Sequence, residues 1–332
     1  MTHRTFSETA RLSGFRPAIA AIAMAASFCV RSYAAPTPPR VRLVAVGDIC
    51  LAGGVERGAV RSGSSYPFTR MLNDLRGADI AFGNLECALS SRGSRIPKRY
   101  NFRARPAWAA RLAAAGFDVL SLANNHTQDY GRAALGDTVT HVQRAGIRAV
   151  GAGLTRAAAH AVQIVTVRGL RVGFLAYLGM FPPLLPVVSD SPSVAMGYPE
   201  SVGQDVASAR GKVDILLVSL HAGREMTLQP SARQKEIAHA AADAGADLVI
   251  GHHPHIVQPS ERYRGARIFY SLGNFVFSPS ASVLRRPDGP WSAMCVAEVG
   301  RGRKVEARLV PLLIVDRQPR HRPLIRPRLR RS

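Results

Sequence analysis

The sequence predicts an α/β layered domain, and three observations carry that prediction. Past residue 40, short β-rich runs alternate with amphipathic stretches, as strands and helices packed in layers do. Hydrophobic residues make up 47% of the 332 and aromatics 7%, enough for a large core and too much for a chain disordered throughout. Polar residues also collect directly after the strand-like runs, where an α/β sheet places its ligands. Collagen-like and disulfide-scaffold classes are excluded, because Gly (29) and Pro (22) follow no period and Cys numbers 4.

The first 35 residues read as a signal peptide outside the fold. Arg4, Arg11 and Arg16 precede a run from Ala18 to Val30 that is apolar except for Ser27, and 13 residues fall short of the ~20 that span a bilayer. Ser32-Tyr33-Ala34 supplies small residues before a cut near Ala34 or Ala35. The alternative is an uncleaved anchor. The chain is thus expected to be exported, to the periplasm or cell envelope.

From residue 41 to 315 the sequence predicts one domain. Val41–Val46 is an apolar strand ended by Gly47-Asp48; Tyr66–Leu75 reads as a helix, Asp79–Phe82 as a strand, and Ala107–Ala115 as a helix stopped by Gly116. Asp118–Leu122 is the next strand and Gly131–Ala145 a helix closed by Gly146. Gln163–Arg168 and Arg171–Tyr177 form a hairpin turning on Gly169. Val172–Val188 is long and apolar, but Pro182, Pro183 and Pro186 make it a strand plus loop. Val213–Leu220, Leu248–Ile250 and Arg267–Ser271 read as strands around an Ala-rich helix at Ala232–Ala244, and Ala293–Val299 with Val305–Val315 as antiparallel strands without a helix between them.

The net charge of +22 invites a nucleic-acid reading, but its placement argues otherwise. Residues 1–40 carry +4 and residues 301–332 carry +9. The segment 317–332 has seven Arg, three Pro and no acid, and is expected to be an unstructured basic tail suited to an anionic membrane surface or polymer. The acid-free stretch Cys87–Phe117 includes Arg92, Arg95, Lys98, Arg99 and Arg103, which read either as a patch that draws in an anionic substrate or as a solvated basic surface. No nucleic acid is expected as a partner. After cleavage Cys50, Cys87 and Cys295 remain; they read as small buried hydrophobes, although Cys50 and Cys87 stand where they can be neighbours.

Asp48 ends the first strand, Asn84-Leu85-Glu86 follows the second, Asn124-Asn125-His126 the third, His221 a later buried strand, and His252-His253-Pro254-His255 the next. Strand ends of one sheet converge in space, and His253 and His255 at a two-residue spacing deliver two imidazoles to one place, as an O/N divalent-metal site requires. Singly, each has a plainer explanation as a cap, turn or satisfied core histidine.

Together with Gly47-Asp48-Ile49, Asp129-Tyr130-Gly131 and Tyr270-Ser271-Leu272-Gly273-Asn274-Phe275, these motifs resemble, in order, the bacterial capsule synthesis protein CapA family, associated with poly-γ-glutamate capsule production and with the calcineurin-like metallophosphoesterase superfamily. The resemblance covers about Val41 to Phe277. It implies a four-layer α-β-β-α sandwich of two mixed sheets, of the metallo-dependent phosphatase type, binding one or two divalent ions (Mn, Fe, Zn or Mg). It also implies that Asp48, Glu86, Asn125, His221, His253 and His255 are metal ligands and His126 the general acid. The expected partner is an anionic substrate or polymer, a phosphoester or poly-γ-glutamate, with envelope synthesis machinery nearby. Two departures from the pattern bear on hydrolysis. Cys50 stands where the wider superfamily has a His, and His221-Ala222-Gly223 with Met226 lacks the family's aromatic. The resemblance therefore implies either a metal-dependent hydrolase or a non-catalytic accessory protein that binds or guides an anionic polymer.

Overall fold

Ten residues, Arg40–Ile49, form strand β1, which runs through the middle of the larger of two main sheets. A computed structural model describes residues 40–63, 65–180, 185–186, 188–278, 291–315 and 317–321, so the expected signal peptide lies outside the described residues. After β1 come α1 (Gly54–Ser62), a 3-10 turn at Thr69–Met71, α2 (Leu72–Arg76), β2 (Ile80–Leu85), β3 (Ala88–Leu89), β4 (Arg103–Ala104), α3 (Trp108–Ala115) and β5 (Val119–Ser121). Next are α4 (Gly131–Arg144), β6 (Arg148–Val150), β7 (Ala152–Gly153), α5 (Arg156–His160), β8 (Gln163–Val167), β9 (Leu170–Leu178), β10 (Ser193–Val194) and α6 (Pro199–Arg210). Then follow β11 (Ile215–His221), α7 (Ala232–Asp243), β12 (Leu248–His252), β13 (Ser260–Tyr263), β14 (Ala266–Phe269), β15 (Asn274–Val276), β16 (Trp291–Gly300), β17 (Lys304–Val315) and β18 (Gln318–His321).

The larger sheet has the order β18-β17-β16-β1-β2-β5-β6, with β15 beside the end of β1. Its β1, β2, β5 and β6 are parallel, and β16, β17 and β18 add antiparallel. The smaller, β13-β14-β12-β11-β9-β8, has a parallel centre and antiparallel edges. The alternation along each central strand sorts residues between two cores. In β11, Ile215 and Leu217 face the larger sheet, while Leu216, Val218 and Leu220 meet Val202 and Val206 of α6 and Ile237 and Ala241 of α7. In β9, Phe174 and Ala176 point inward and Leu175 and Tyr177 outward. Phe82 of β2 stacks on Phe174 across the sheets, ring centroids 5.9 Å apart. Leu112 of α3 and Leu135, Val139 and Val142 of α4 cover the other face of the larger sheet, completing the four-layer α-β-β-α sandwich.

Several expected elements change length for identifiable reasons. β1 continues through Asp48 because Asp48 pairs with Asn274 of β15, and the backbones approach so closely that a Cβ on Gly47 would lie 1.9 Å from the Gly273 carbonyl oxygen. The helix expected at Tyr66–Leu75 is confined to the 3-10 turn and α2, since Ser65–Phe68 make a turn and Pro67 has no N–H to give a helix. Helices α1 and α6 lie in stretches where no helix was expected. The basic segment from Arg317, expected to be unstructured, is a strand over Gln318–His321: these residues form β18 against β17, where backbone hydrogen bonding outweighs composition. Residues 322–332 lie outside the described residues.

Candidate metal centre

Five strand ends meet as the sequence predicts. Asp48 comes from β1, Glu86 from the residue after β2, Asn125 and His126 from the turn after β5, His221 from β11, and His253 and His255 from the loop after β12. Each glycine before a site residue has a steric reason. Gly47 meets Gly273, and a Cβ on Gly251 would lie 1.9 Å from the Tyr270 carbonyl oxygen, so strands carrying Asp48 and His252 pass against neighbouring backbone. His253 and His255 occupy positive φ, 93° and 60°, a strained conformation for residues with side chains.

Asp48 and Glu86 are fully buried. Asp48 accepts from Asn84 Nδ2 at 2.8 Å and lies 3.3 Å from His252 Nδ1 and 3.2 Å from His255 Nδ1. Glu86 differs: neither of its oxygens has a hydrogen-bond partner. Its Oε1 faces three imidazoles, at 3.8 Å from His221 Nε2, 3.8 Å from His255 Nε2 and 4.0 Å from His126 Nε2, all too long for hydrogen bonds. A buried carboxylate without a hydrogen bond is costly, and a positive charge is what would satisfy it: protonated His255 at 3.8 Å in the metal-free protein, or a bound cation. Ligand atoms of Glu86, His221 and His253 lie within 4.8 Å of one another, as do those of Asp48, Glu86 and His255, and of Glu225, His253 and His255. Glu86, His253 and His255 each belong to two of these groups. This oxygen and nitrogen donor set fits a divalent ion.

The protonation states of two of the imidazoles agree with that fit. Burial holds His221 well below the usual histidine range and brings His253 down to about 3, so both are neutral imidazoles able to act as ligands. His221 Nδ1 lies 3.2 Å from Asn84 Nδ2 and Nε2 lies 2.8 Å from Asn125 Oδ1, which in the metal-free protein assigns the proton to Nε2, so a metal held by Nε2 would displace that proton. Burial, with Asp48 adding repulsion, pushes Glu86 well above the usual carboxylate range. Burial also opposes ionisation of Asp48 and His255. For Asp48 the hydrogen bonds from His252 and His255 win and hold it well below its usual range; for His255 the charges of Glu86 and Asp48 win and raise it to about 10.

His126 stands beside this cluster. Its Nδ1 lies 2.8 Å from Asp129 Oδ2, and burial, opposed by Asp129, lowers its pKa. Phe102 packs on His126 with ring centroids 4.2 Å apart, and Phe277 on His255 at 4.9 Å. Glu225, Asn84, Asn124, Asp129 and Asn274 join the site without having been assigned roles from sequence. Asn84, Asn124, Asp129 and Asn274 lie in motifs already singled out, and Glu225 follows the His221-Ala222-Gly223 segment by two residues, so closeness to a motif was the signal for each. Asn124 Nδ2 donates to Asn84 Oδ1 at 3.1 Å, and His255 Nδ1 lies 2.9 Å from Asn274 Oδ1.

The basic stretch divides by environment. Arg92 pairs with Asp137, Lys98 turns inward to Asp129, and the Arg103 guanidinium lies 4.0 Å from the centre of the Tyr130 ring. Arg95 and Arg99 are exposed. The three cysteines are buried free thiols, and Cys50 and Cys87 are neighbours; burial and then Cys87 push the Cys50 thiol up.

The model of the family described as bacterial capsule synthesis protein PGA_cap matches residues 42–279. The chain belongs to this family. It is 33% identical over 274 residues to a capsule biosynthesis protein CapA of Bacillus anthracis, covering 79% of this chain and 67% of that one. It is 32% identical over 235 residues to a PGA biosynthesis protein CapA of Bacillus subtilis, covering 70% of this family member and 62% of that one. A "Probable polyglutamine synthesis accessory protein" of Mycobacterium tuberculosis is 32% identical over 210 residues, covering 60% and 55% of the two chains. Among solved structures, the NAD nucleotidase of Haemophilus influenzae superposes with a TM-score of 0.51 at 12% identity, over 83% of this chain and 56% of its own. That likeness shows a shared metallophosphoesterase-type fold.

Proposed function

We propose that this PGA_cap family member is an exported protein of capsule or poly-γ-glutamate metabolism whose divalent-metal centre hydrolyses a phosphoester-type bond. The observation that carries the reading is Glu86, a fully buried carboxylate with neither oxygen hydrogen-bonded, set among three imidazoles. Asp48, Glu86, Asn125, His221, His253 and His255 would hold the ion or ions, with Glu225 at the rim. A bound divalent ion supplies polarisation of a phosphoryl oxygen and activation of water at neutral pH. The remaining chemistry belongs to the chain. Asp129 accepts from His126 Nδ1–H, so the ring in its doubly protonated form presents Nε2–H to the departing oxygen and returns to the neutral Nδ1–H form once that proton has left. Phe102 and Phe277 cover the two outer imidazoles and limit water access. Exposed Arg95 and Arg99 are placed to attract a polyanion.

A second reading, a non-catalytic accessory protein that guides an anionic polymer, is favoured by Cys50. By the resemblance it stands where the wider superfamily has a histidine, and its thiol, pushed up by burial, is a poor ligand. Metal analysis of the purified protein tests the shared premise: stoichiometric divalent metal, lost in Asp48→Ala and His253→Ala, is expected, and unchanged metal content in both variants would overturn it. Turnover of phosphodiester, phosphomonoester and γ-glutamyl substrates then separates the two readings. Metal-dependent turnover lost in His126→Ala supports the enzyme; none in the metal-replete protein supports the accessory role.

A further inference from the structure

The segment Ile96–Phe102 wraps around one residue, Asp129. The Ile96 N–H donates to the Asp129 carbonyl at 3.0 Å, Asn101 Nδ2 donates to the same carbonyl at 3.3 Å, and the Phe102 N–H donates to Oδ2 at 2.5 Å. Three residues earlier, Gly93 at φ +82° passes so close to Tyr130 that a Cβ there would lie 2.0 Å from its carbonyl oxygen. Segment and turn are thus fastened on both sides of Lys98. The Lys98 side chain is only 18% exposed, and the Asp129 carboxylate it pairs with is fully buried. Its ammonium pairs with Asp129 Oδ1, donates to the Asn125 carbonyl at 2.7 Å and stands 3.3 Å from His126 Nδ1.

We propose that Lys98 is a positioning residue: by holding the Asp129 carboxylate and the Asn125 carbonyl together, it fixes the His126 ring with Nδ1 on Asp129 and Nε2 facing Glu86. A lysine is suited to this, since one compact charge reaches both the Asp129 carboxylate and the Asn125 carbonyl, while His126 Nδ1, whose proton goes to Asp129, does not accept from it. Asp129 Oδ1 has no hydrogen-bond partner and is met by the Lys98 charge as an ion pair, while Oδ2 serves His126 and the Phe102 N–H. Without the ammonium, Asp129 would be a buried anion short of a counter-charge, free to turn toward other donors. The segment that attracted attention for its positive charge thus also contributes a buried strut to the site. The role of the strut in turnover rests on the hydrolytic reading; its role in orienting His126 does not.

The test reads the His126 ring directly. In the metal-free protein at fixed pH, nitrogen-detected NMR of the histidine side chains, with His126 assigned from a His126→Gln variant, should show one tautomer carrying its proton on Nδ1. Lys98→Met should convert it into an exchanging mixture, and Lys98→Arg should restore much of the single form. An unchanged His126 signature in Lys98→Met would overturn the proposal. Should Lys98→Met fail to fold, Lys98→Gln, which can still donate to the Asn125 carbonyl, serves in its place with the same criterion. With turnover, Lys98→Met should lose about tenfold to a hundredfold in kcat on an alkyl phosphodiester and far less on p-nitrophenyl esters, whose leaving group needs no proton. Equal losses on both would overturn the positioning role in catalysis. No turnover in wild type, with the NMR change present, would leave Lys98 as the strut and remove the hydrolytic reading instead.

Discussion

At the scale of single residues, the site is held in a state that is unfavourable without a cation. Glu86 lacks any hydrogen-bond donor, and burial pushes it toward the neutral form. Glu86→Gln removes the charge while keeping the shape. The metal-free variant is expected to be as stable as wild type or more stable, by on the order of 1 kcal/mol, and to lose its response to added metal; thermal unfolding with and without Zn or Mn checks both. His255 behaves differently. Its pKa is raised to about 10 by Glu86 and Asp48, against burial. A histidine with a raised folded-state pKa contributes stability that is full below its unfolded value, about 6.5, and lost as pH rises through the folded one. Metal-free protein should therefore lose stability between about pH 6.5 and 10, and His255→Gln should flatten that slope in denaturant titrations. Because His255 must shed its proton to become a ligand, metal uptake should also release acid.

Among the elements, α7 shows how local chemistry supports the site from a distance. Ser231 caps it, accepting from the Gln234 N–H at 3.2 Å, while the Gln234 side chain accepts from the Ser231 N–H at 2.9 Å. Gln234 Nε2 then donates to Gln258 Oε1 at 3.0 Å, joining the helix to the chain that follows the histidine loop. The same side chain fills the space beside Gly223, where a Cβ would lie 2.3 Å from Gln234 Oε1. Ser231→Ala is expected to cost about 1 kcal/mol in equilibrium unfolding, whereas Gln234→Ala should cost more because it also opens the Gln258 contact. These elements were partly legible. The buried strands β9, β11 and β12, the hairpin at Gly169 and helix α7 follow from apolar runs bounded by Gly and from Ala-rich periodicity. Helix α6 escaped because Gly203 and its polar residues blur the apolar stripe, although Val202, Val206 and Ala209 face the core. Strand β18 escaped because its pairing partner, β17, rather than its own composition, makes it a strand.

For the whole molecule, the two sheets form one inner core, and the site lies where strands of both sheets end. Phe82 and Phe174 stack through that core, so Phe174→Ala is expected to destabilise by about 3–5 kcal/mol. A cation bound to ligands from β1, β11 and the loops after β2, β5 and β12 would tie the sheets together at their ends. Its effect on stability should grow with concentration, about 2.7 kcal/mol at a hundred times the dissociation constant, and a chelator should reverse it. His253→Ala and Glu86→Gln should not add in that response, because either one breaks the same site.

The sequence by itself determined the α/β class, the order of the strand-end motifs and most of the candidate ligands. Those depend on local patterns: apolar runs, the glycines that end them and the polar residues that follow. Only the tertiary structure decided what those residues meet. It left Glu86 without a donor among three imidazoles, brought Glu225 to His253 and His255, and turned Lys98 out of an apparent surface patch onto Asp129. The physical reason is that burial and pairing depend on neighbours far away in the chain. A lysine in an acid-free stretch reads as a solvated charge until the fold places a buried carboxylate within its reach.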